Sequence, residues 1–258
     1  LAQMTGLPPK DVSAALEELI AREQVISAGA VLYAASEWAR LRDESAKLLA
    51  DYHARYPLRA GMPREEWRAR LGLTPREAPG MITLLTTTGD LREFAGGPPD
   101  PFAGTDDTAP LTSAGKGGAF VRAATHAPQL TPSQASAAEA MLARFQALPF
   151  TPPTRDEVEE ALGSELTAAL IAQGTLVRLS DEILLMRGAY LEATRRILAH
   201  LNERQRITVA EARDLLGATR KYTLALFESL DERQITQRQG DDRIAGRAAA
   251  VYARKRFP

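Results

Sequence analysis

The chain has 258 residues, 45 % of them hydrophobic and 25 % charged, with a formal net charge of −1 and no cysteine. That balance is ordinary for a soluble globular protein; no apolar run approaches the ~18 residues of a membrane span, and neither a disulfide nor a thiolate metal site can form. A chain of this length holds one large domain or several small ones; it shows no signal peptide and starts at Leu1 rather than Met, so the expectation is a cytoplasmic piece of a longer protein.

Taken in chain order, one pattern recurs: helix, short turn, second helix, then two short strands forming a hairpin. Residues 1–35 carry its second half. A glycine turn leads into an apolar-striped helix with Leu16 and Ile20, and "REQVI" then enters a hairpin around Ala28-Gly29. Residues 36–128 form the second copy. Its helices are expected over Glu37–Tyr56, Pro63–Leu71 and Pro75–Thr87, with hairpin strands at Leu91–Phe94 and Ala119–Ala123. The Gly/Pro-rich stretch 95–118 between the strands reads as a long mobile wing. Residues 129–187 repeat the pattern with a tight hairpin, Leu176–Leu179 and Ile183–Met186, around Ser180-Asp181-Glu182.

The last copy, residues 188–258, is the clearest. Leu191, Ile197, Leu198 and Leu201 mark a first helix from Tyr190 to Asn202. Thr208 and Glu211 form a Thr-x-x-Glu capping box for a second helix, which stops at Gly217. Thr219 opens a third helix with Thr223, Leu226, Phe227 and Leu230 as its buried stripe. Ile235–Arg238 and Arg243–Ala245 then flank Gly240-Asp241-Asp242 as a wing. The whole reads as a mainly α, elongated tandem array of four winged helices, each with a small β-hairpin. A single mixed α/β domain is the competing reading, but parallel βαβ units call for longer, more apolar strands.

Charge separates the copies. Ala189–Pro258 holds 14 Arg and Lys against 9 Asp and Glu; Leu1–Gly188 holds 18 against 24. A basic module on an acidic chain is the electrostatic footprint of a phosphate-binding surface, which a whole-chain pI near 6.4 conceals.

Enzyme readings fail on the residues. "SAGKGG" around Lys116 has Pro110 and Gly117 where a phosphate loop requires glycine and Ser or Thr. His53, His126 and His200 lack ligand spacing. The pairs Glu17-Glu18, Glu65-Glu66 and Glu159-Glu160 read as solvated helix faces, and Trp38 and Trp67 as packing residues. No catalytic, metal or cofactor residue is expected.

The candidate site is in the last copy. Arg220, Lys221 and Tyr222 follow Thr219 in the first turn of the third helix, off its buried stripe. Cations there oppose the helix dipole, which makes sense if an anion binds beside the free backbone N–H groups. The bland alternative is two long side chains solvating the turn. The wing adds Arg238, Gln239, Arg243 and Arg247, with Asp241 and Asp242 as possible internal partners, and the tail adds Arg254, Lys255 and Arg256.

"LGATRKYTLALFESLDERQITQRQGDDRI" resembles the C-terminal winged helix of the bacterial selenocysteine-specific elongation factors, the SelB family. "YPLRAGMPREEWRARLGL" at Tyr56–Leu73 resembles the second winged helix of the same region. The resemblance runs over essentially the whole chain in the same module order, with the first module truncated. It implies an RNA-binding arm that recognises a hairpin in selenoprotein mRNA, the SECIS element, through Arg220, Lys221, Tyr222 and the wing. It also implies that GTP belongs to an N-terminal GTPase absent from this chain. The ribosome and selenocysteinyl-tRNA would then be partners of the full-length factor, the chain a monomer with no membrane partner, and the first three modules a spacer and relay. A short basic helix end with a wing suits RNA, whose deep major groove excludes a helix. A tandem winged-helix DNA-binding regulator and a protein-interaction scaffold are the alternatives.

Overall fold

The computed structural model describes residues 8–29, 31–96, 100–102 and 118–254. Two compact units emerge: Leu1–Gly97 with Ala109–Pro128, and Pro98–Thr108 with Gln129–Pro258. Among the described residues the fold is mainly helical, with four small sheets whose strand pairs are all antiparallel. No parallel βαβ unit is present among them, which removes the physical basis of the single α/β reading.

The first unit opens with helix α1 (Pro9–Ala21), its φ pre-set by proline in the first turn, then strands β1 (Val25–Ala28) and β2 (Val31–Ala34). Ile20 is 40 % exposed, although it stands where the last module has the buried Leu230. The correspondence is therefore one of chain position: α1 packs on β1, whereas the equivalent helix of the last module also has a second helix against it. Helix α2 (Ala35–Arg55) buries Trp38, Leu41, Ser45, Leu49 and Tyr52 on one stripe. Buried Ser45 is explained by Trp67, fully enclosed on helix α3 (Arg64–Arg70), whose indole Nε1 donates to Ser45 Oγ at 2.9 Å.

Helix α4 (Ala78–Thr87) leads into β4 (Leu91–Ala95) and β5 (Ala119–Ala123). The sheet gains a strand the sequence did not announce, β3 (Met62–Pro63), which pairs with β5 to give the order β3-β5-β4. Gly80 on α4 meets the first hairpin so closely that a Cβ there would lie 2.0 Å from the Ala28 carbonyl oxygen. That contact joins the hairpin to the core of Met62, Met81, Leu85, Leu91 and Val121.

The second unit begins with α5 (Pro132–Ala147), α6 (Arg155–Leu162), α7 (Ser164–Ala172) and the hairpin β6 (Leu176–Arg178) with β7 (Leu184–Met186). Capping boxes at Thr131–Gln134 and Thr154–Glu157 start α5 and α6. Helix α8 (Arg187–Arg204) starts at the residue after β7, so Val177 and Leu185 of the hairpin share one core with Tyr190, Ile197 and Leu201. Strand β8 (Arg206–Thr208), helix α9 (Val209–Leu216), helix α10 (Arg220–Glu232), β9 (Thr236–Gln239) and β10 (Asp242–Ala245) complete the last module, with sheet order β8-β10-β9. The expected Thr208 box is formed: Glu211 N donates to Thr208 Oγ1 at 3.1 Å, and Thr208 N to Glu211 Oε2 at 2.8 Å. Gly217 takes the left-handed C-cap conformation, φ +64°.

One expectation for irregular chain is corrected. At the start of the basic tail Ala249–Arg254 forms a short helix, α11; Lys255 and Arg256 lie outside the described residues. Of the expected mobile wing 95–118, Asp100–Phe102 belong to the second unit and are packed. The Phe102 ring lies 5.4 Å from that of Tyr190 and 4.3 Å from that of Tyr252, and Arg187 Nε donates to the Pro101 carbonyl at 2.8 Å. Phe102 thus adds an aromatic face to the α8 core that helix periodicity cannot foresee. Lys116 lies outside the described residues.

Candidate nucleic-acid interface

The basic excess of the last module is unevenly available. Arg195 and Arg196 both grip Glu192 at 2.8 Å, which holds that carboxyl down to about 2. Arg206 pairs with Asp242, Arg213 with Asp214, Arg233 with Asp100 and Arg243 with Asp231. Among the described residues of this module, Arg204, Arg220, Arg238 and Arg247 have no carboxylate within ion-pair distance. Three of these four are expected site residues.

Arg220 is exposed in the first turn of α10, beside the exposed N-cap Thr219, whose side chain caps nothing. That turn holds no acidic residue, so its cations face the positive helix end uncompensated. Lys221 is exposed too, but its Nζ sits 2.6 Å from Glu182 Oε2 in the β6–β7 turn, and that contact raises its pKa. Tyr222 is half-buried; its hydroxyl donates to the Pro152 carbonyl at 2.6 Å, and its ring lines a small apolar recess with Phe150, Leu185 and Leu226. The ring thus ties the start of α10 to the chain between α5 and α6.

The wing residues divide in the same manner. Arg238 and Gln239 are exposed at the hairpin tip, with Arg238 Nε donating to the Gly240 carbonyl at 3.0 Å. Arg243, also an expected site residue, turns inward. Its side chain is 7 % exposed, its Nε donates to Asp231 Oδ2 at 2.8 Å, and its guanidinium lies 5.2 Å from the Phe227 ring centre. Exposed Arg247 donates to Gln234 Oε1. Asp231 and Gln234 are at the end of α10, eleven or more residues beyond Arg220, which at 1.5 Å per residue is about 16 Å along the helix. The two basic clusters therefore sit at opposite ends of α10, with Arg238 and Gln239 carried out on the hairpin.

Sequence reasoning missed a second group of residues, in the first unit. The rings of His53 and His126 stack at 3.5 Å between centres and 9° between planes. Burial, then His126, then Arg122 push the His53 pKa down to about 4. The Arg59 guanidinium lies 3.9 Å from the Tyr56 ring centre. Seventy-three residues separate the two histidines, and nothing in their spacing announces the pair. The three carboxylate pairs behave as solvated faces: Glu18, Glu65, Glu66 and Glu159 each meet an arginine three or four residues away along the chain. Among the described residues no His/Asp/Glu group could hold a metal ion, and no helix is long and apolar enough to cross a membrane.

Helix pairs closed by antiparallel hairpins, two with a third strand between the helices, define a winged-helix protein. Two of its segments match family models described as "Elongation factor SelB, winged helix", residues 46–93 and residues 199–245. Those segments contain "YPLRAGMPREEWRARLGL" and "LGATRKYTLALFESLDERQITQRQGDDRI". The chain is 24 % identical over 203 residues to the selenocysteine-specific elongation factor of Desulfomicrobium baculatum, covering 76 % of this chain and 28 % of that protein. It thus spans less than a third of that relative's length. Two solved structures are similar: a bacterial selenocysteine-specific elongation factor EF-Sec and the mRNA-binding domain of SelB from E. coli in complex with SECIS RNA. The first has TM-score 0.45 and 15 % identity over 87 % of this chain and 32 % of that one. The second has TM-score 0.34 and 18 % identity over 45 % of this chain and 99 % of that one.

Proposed function

We propose that the chain is the RNA-binding arm of a selenocysteine-specific translation elongation factor, and that its last module holds the SECIS hairpin of selenoprotein mRNA. The observation that carries this reading is the SelB winged helix at residues 199–245, which includes the unpaired, exposed Arg220 and Arg238. The contact set is Thr219, Arg220, Lys221, Arg238, Gln239 and Arg247; Arg243 and Tyr222 shape the module from within. The arm consists of four winged helices with boundaries near residues 35, 128 and 187, of which the first three hold the RNA-binding module at a distance from the rest of the factor. GTP, the ribosome and selenocysteinyl-tRNA are matters for the full factor, and this arm acts in the cytoplasm as a monomer with neither catalytic residue nor cofactor.

Fluorescence anisotropy with a labelled SECIS-type RNA hairpin and a DNA duplex of equal length tests the proposal. RNA binding at least tenfold tighter than duplex binding is expected. Equal or tighter binding to the duplex would point to a DNA-binding regulator, and binding to neither would point to a protein scaffold.

A further inference from the structure

The β4–β5 ribbon of the first unit has two faces. Leu91, Glu93 and Val121 alternate onto one; Arg92, Phe94, Phe120 and Arg122 alternate onto the other. On that second face Arg92 stands directly across from Arg122, and Phe94 across from Phe120. Like charges placed directly opposite on a ribbon destabilise it, and nearby acids do not relieve them. Asp90 Oδ2 accepts from Thr88 Oγ1 at 2.6 Å, and Glu93 turns to Arg64 at 3.3 Å. Neither Arg92 nor Arg122 has a carboxylate partner among the described residues.

Arg122 is also under-satisfied. Its Nε is shielded from solvent without a hydrogen-bond acceptor, while its guanidinium lies 5.4 Å from the centre of the Phe94 ring. The ring contact offsets part of the burial but supplies no acceptor, and an unmet buried donor is costly. Burial first, then Arg92, lower the Arg122 pKa, as expected of a charge that lacks its counter-ion. Beside the arginines the Phe94 and Phe120 rings stack with centres 5.9 Å apart and planes 26° apart, both half-buried.

We propose that this face of the β4–β5 ribbon is a second RNA-binding surface, at which Arg92 and Arg122 share a phosphodiester of single-stranded RNA and the phenylalanine pair takes an adjoining base. A phosphate supplies the acceptors that two guanidinium forks need, and removes their repulsion. Two cations edged by aromatic rings form the combination that binds single strands without sequence preference, through backbone charge and stacking. The surface stands independently of the hairpin contact in the last module. It gives the acidic part of the chain its own purchase on RNA.

The experiment uses the full chain carrying Arg220→Ala and Lys221→Ala, with a fluorescein-labelled twelve-residue oligouridylate at low salt. Added Arg92→Ala should weaken binding at least fivefold, with a melting temperature no lower than its parent's, since Arg92 is exposed and stands across from a like charge. Added Arg122→Met, which keeps the cover over Phe94, should weaken it at least tenfold. Oligouridylate that does not bind the parent, or binds both variants within twofold of it, overturns the proposal. So does a hexaglutamate peptide that displaces the label as well as unlabelled oligouridylate does, because the surface would then take acidic peptides. Loss of hairpin binding elsewhere in the molecule leaves this result unaffected.

Discussion

Lys221 Nζ and Glu182 Oε2 lie 2.6 Å apart, so a cation at the start of α10 is already held by the turn of the preceding hairpin. An RNA phosphate arriving at α10 has to displace that carboxylate, and Glu182 repels it meanwhile. Glu182→Gln is therefore expected to tighten RNA-hairpin binding by about two- to fivefold, the range of an exposed ion pair. The gain should shrink as salt screens the pair. Anisotropy titrations at two salt concentrations check this; unchanged affinity at low salt would mean that Lys221 does not face the RNA.

Tyr222 should behave as a packing residue. Tyr222→Phe keeps the ring in its recess and loses the hydrogen bond to the Pro152 carbonyl. The expected cost is about 1 kcal/mol of stability, a fall in melting temperature of roughly 2–4 °C, with RNA affinity within twofold of wild type. Differential scanning fluorimetry beside RNA titration separates the two effects.

Arg243 and Asp231 tie the wing to the end of α10 from inside the module. Asp231→Ala would leave the enclosed guanidinium without its partner, and also removes the acceptor of Thr236 Oγ1. A loss of about 3 kcal/mol is expected, because stranding one member of a buried pair costs more than the pair is worth. Urea unfolding measures it, and a loss under about 1 kcal/mol would contradict the burial argument.

The stacked histidines make the first unit sensitive to acid. The fold holds His53 at about 4 against its ordinary 6.5, with His126, Arg122 and the edge of the Tyr52 ring around it. The neutral ring is the one that fits: Nε2 accepts from Ala123 N at 3.4 Å. The unfolded chain takes up the proton at higher pH than the folded one. The stabilisation is thus complete above pH 6.5 and is lost as pH falls toward 4. Its size is on the order of 1 kcal/mol once solvent screening is allowed for. Melting temperature followed from pH 7 to pH 4.5 should fall less steeply in His53→Gln than in wild type.

The winged-helix layout was legible because its signals are local. Thr208 and Glu211 are three residues apart and Gly217 ends a helix by its own conformational freedom, so both could be read from the chain. Strands β3 and β8, with two and three residues, are too short to show alternation, and they exist because β5 and β10 offer them an edge. Exposure was legible at Arg220 and Arg238, where it follows from helix and hairpin position. The internal partners of Tyr222, Lys221 and Arg243 were not, because they are 70, 39 and 12 residues away. His53 and His126 fell outside the reading for the same reason. A side chain's direction is settled by such distant partners, and neither charge counts nor periodicity report them.

The account rests on Arg220 as an unpaired cation at the start of α10 meeting RNA. The most direct measurement is the affinity of the full chain for a SECIS-type RNA hairpin across a salt series, wild type against Arg220→Ala. Wild type should lose roughly three to five decades of affinity per decade of salt. Arg220→Ala should bind about tenfold to a hundredfold more weakly, as the loss of a charge-assisted phosphate contact implies, with a shallower slope and an unchanged melting temperature. Wild-type affinity and slope in Arg220→Ala would contradict the assignment of the α10 start as the RNA-binding end of the module.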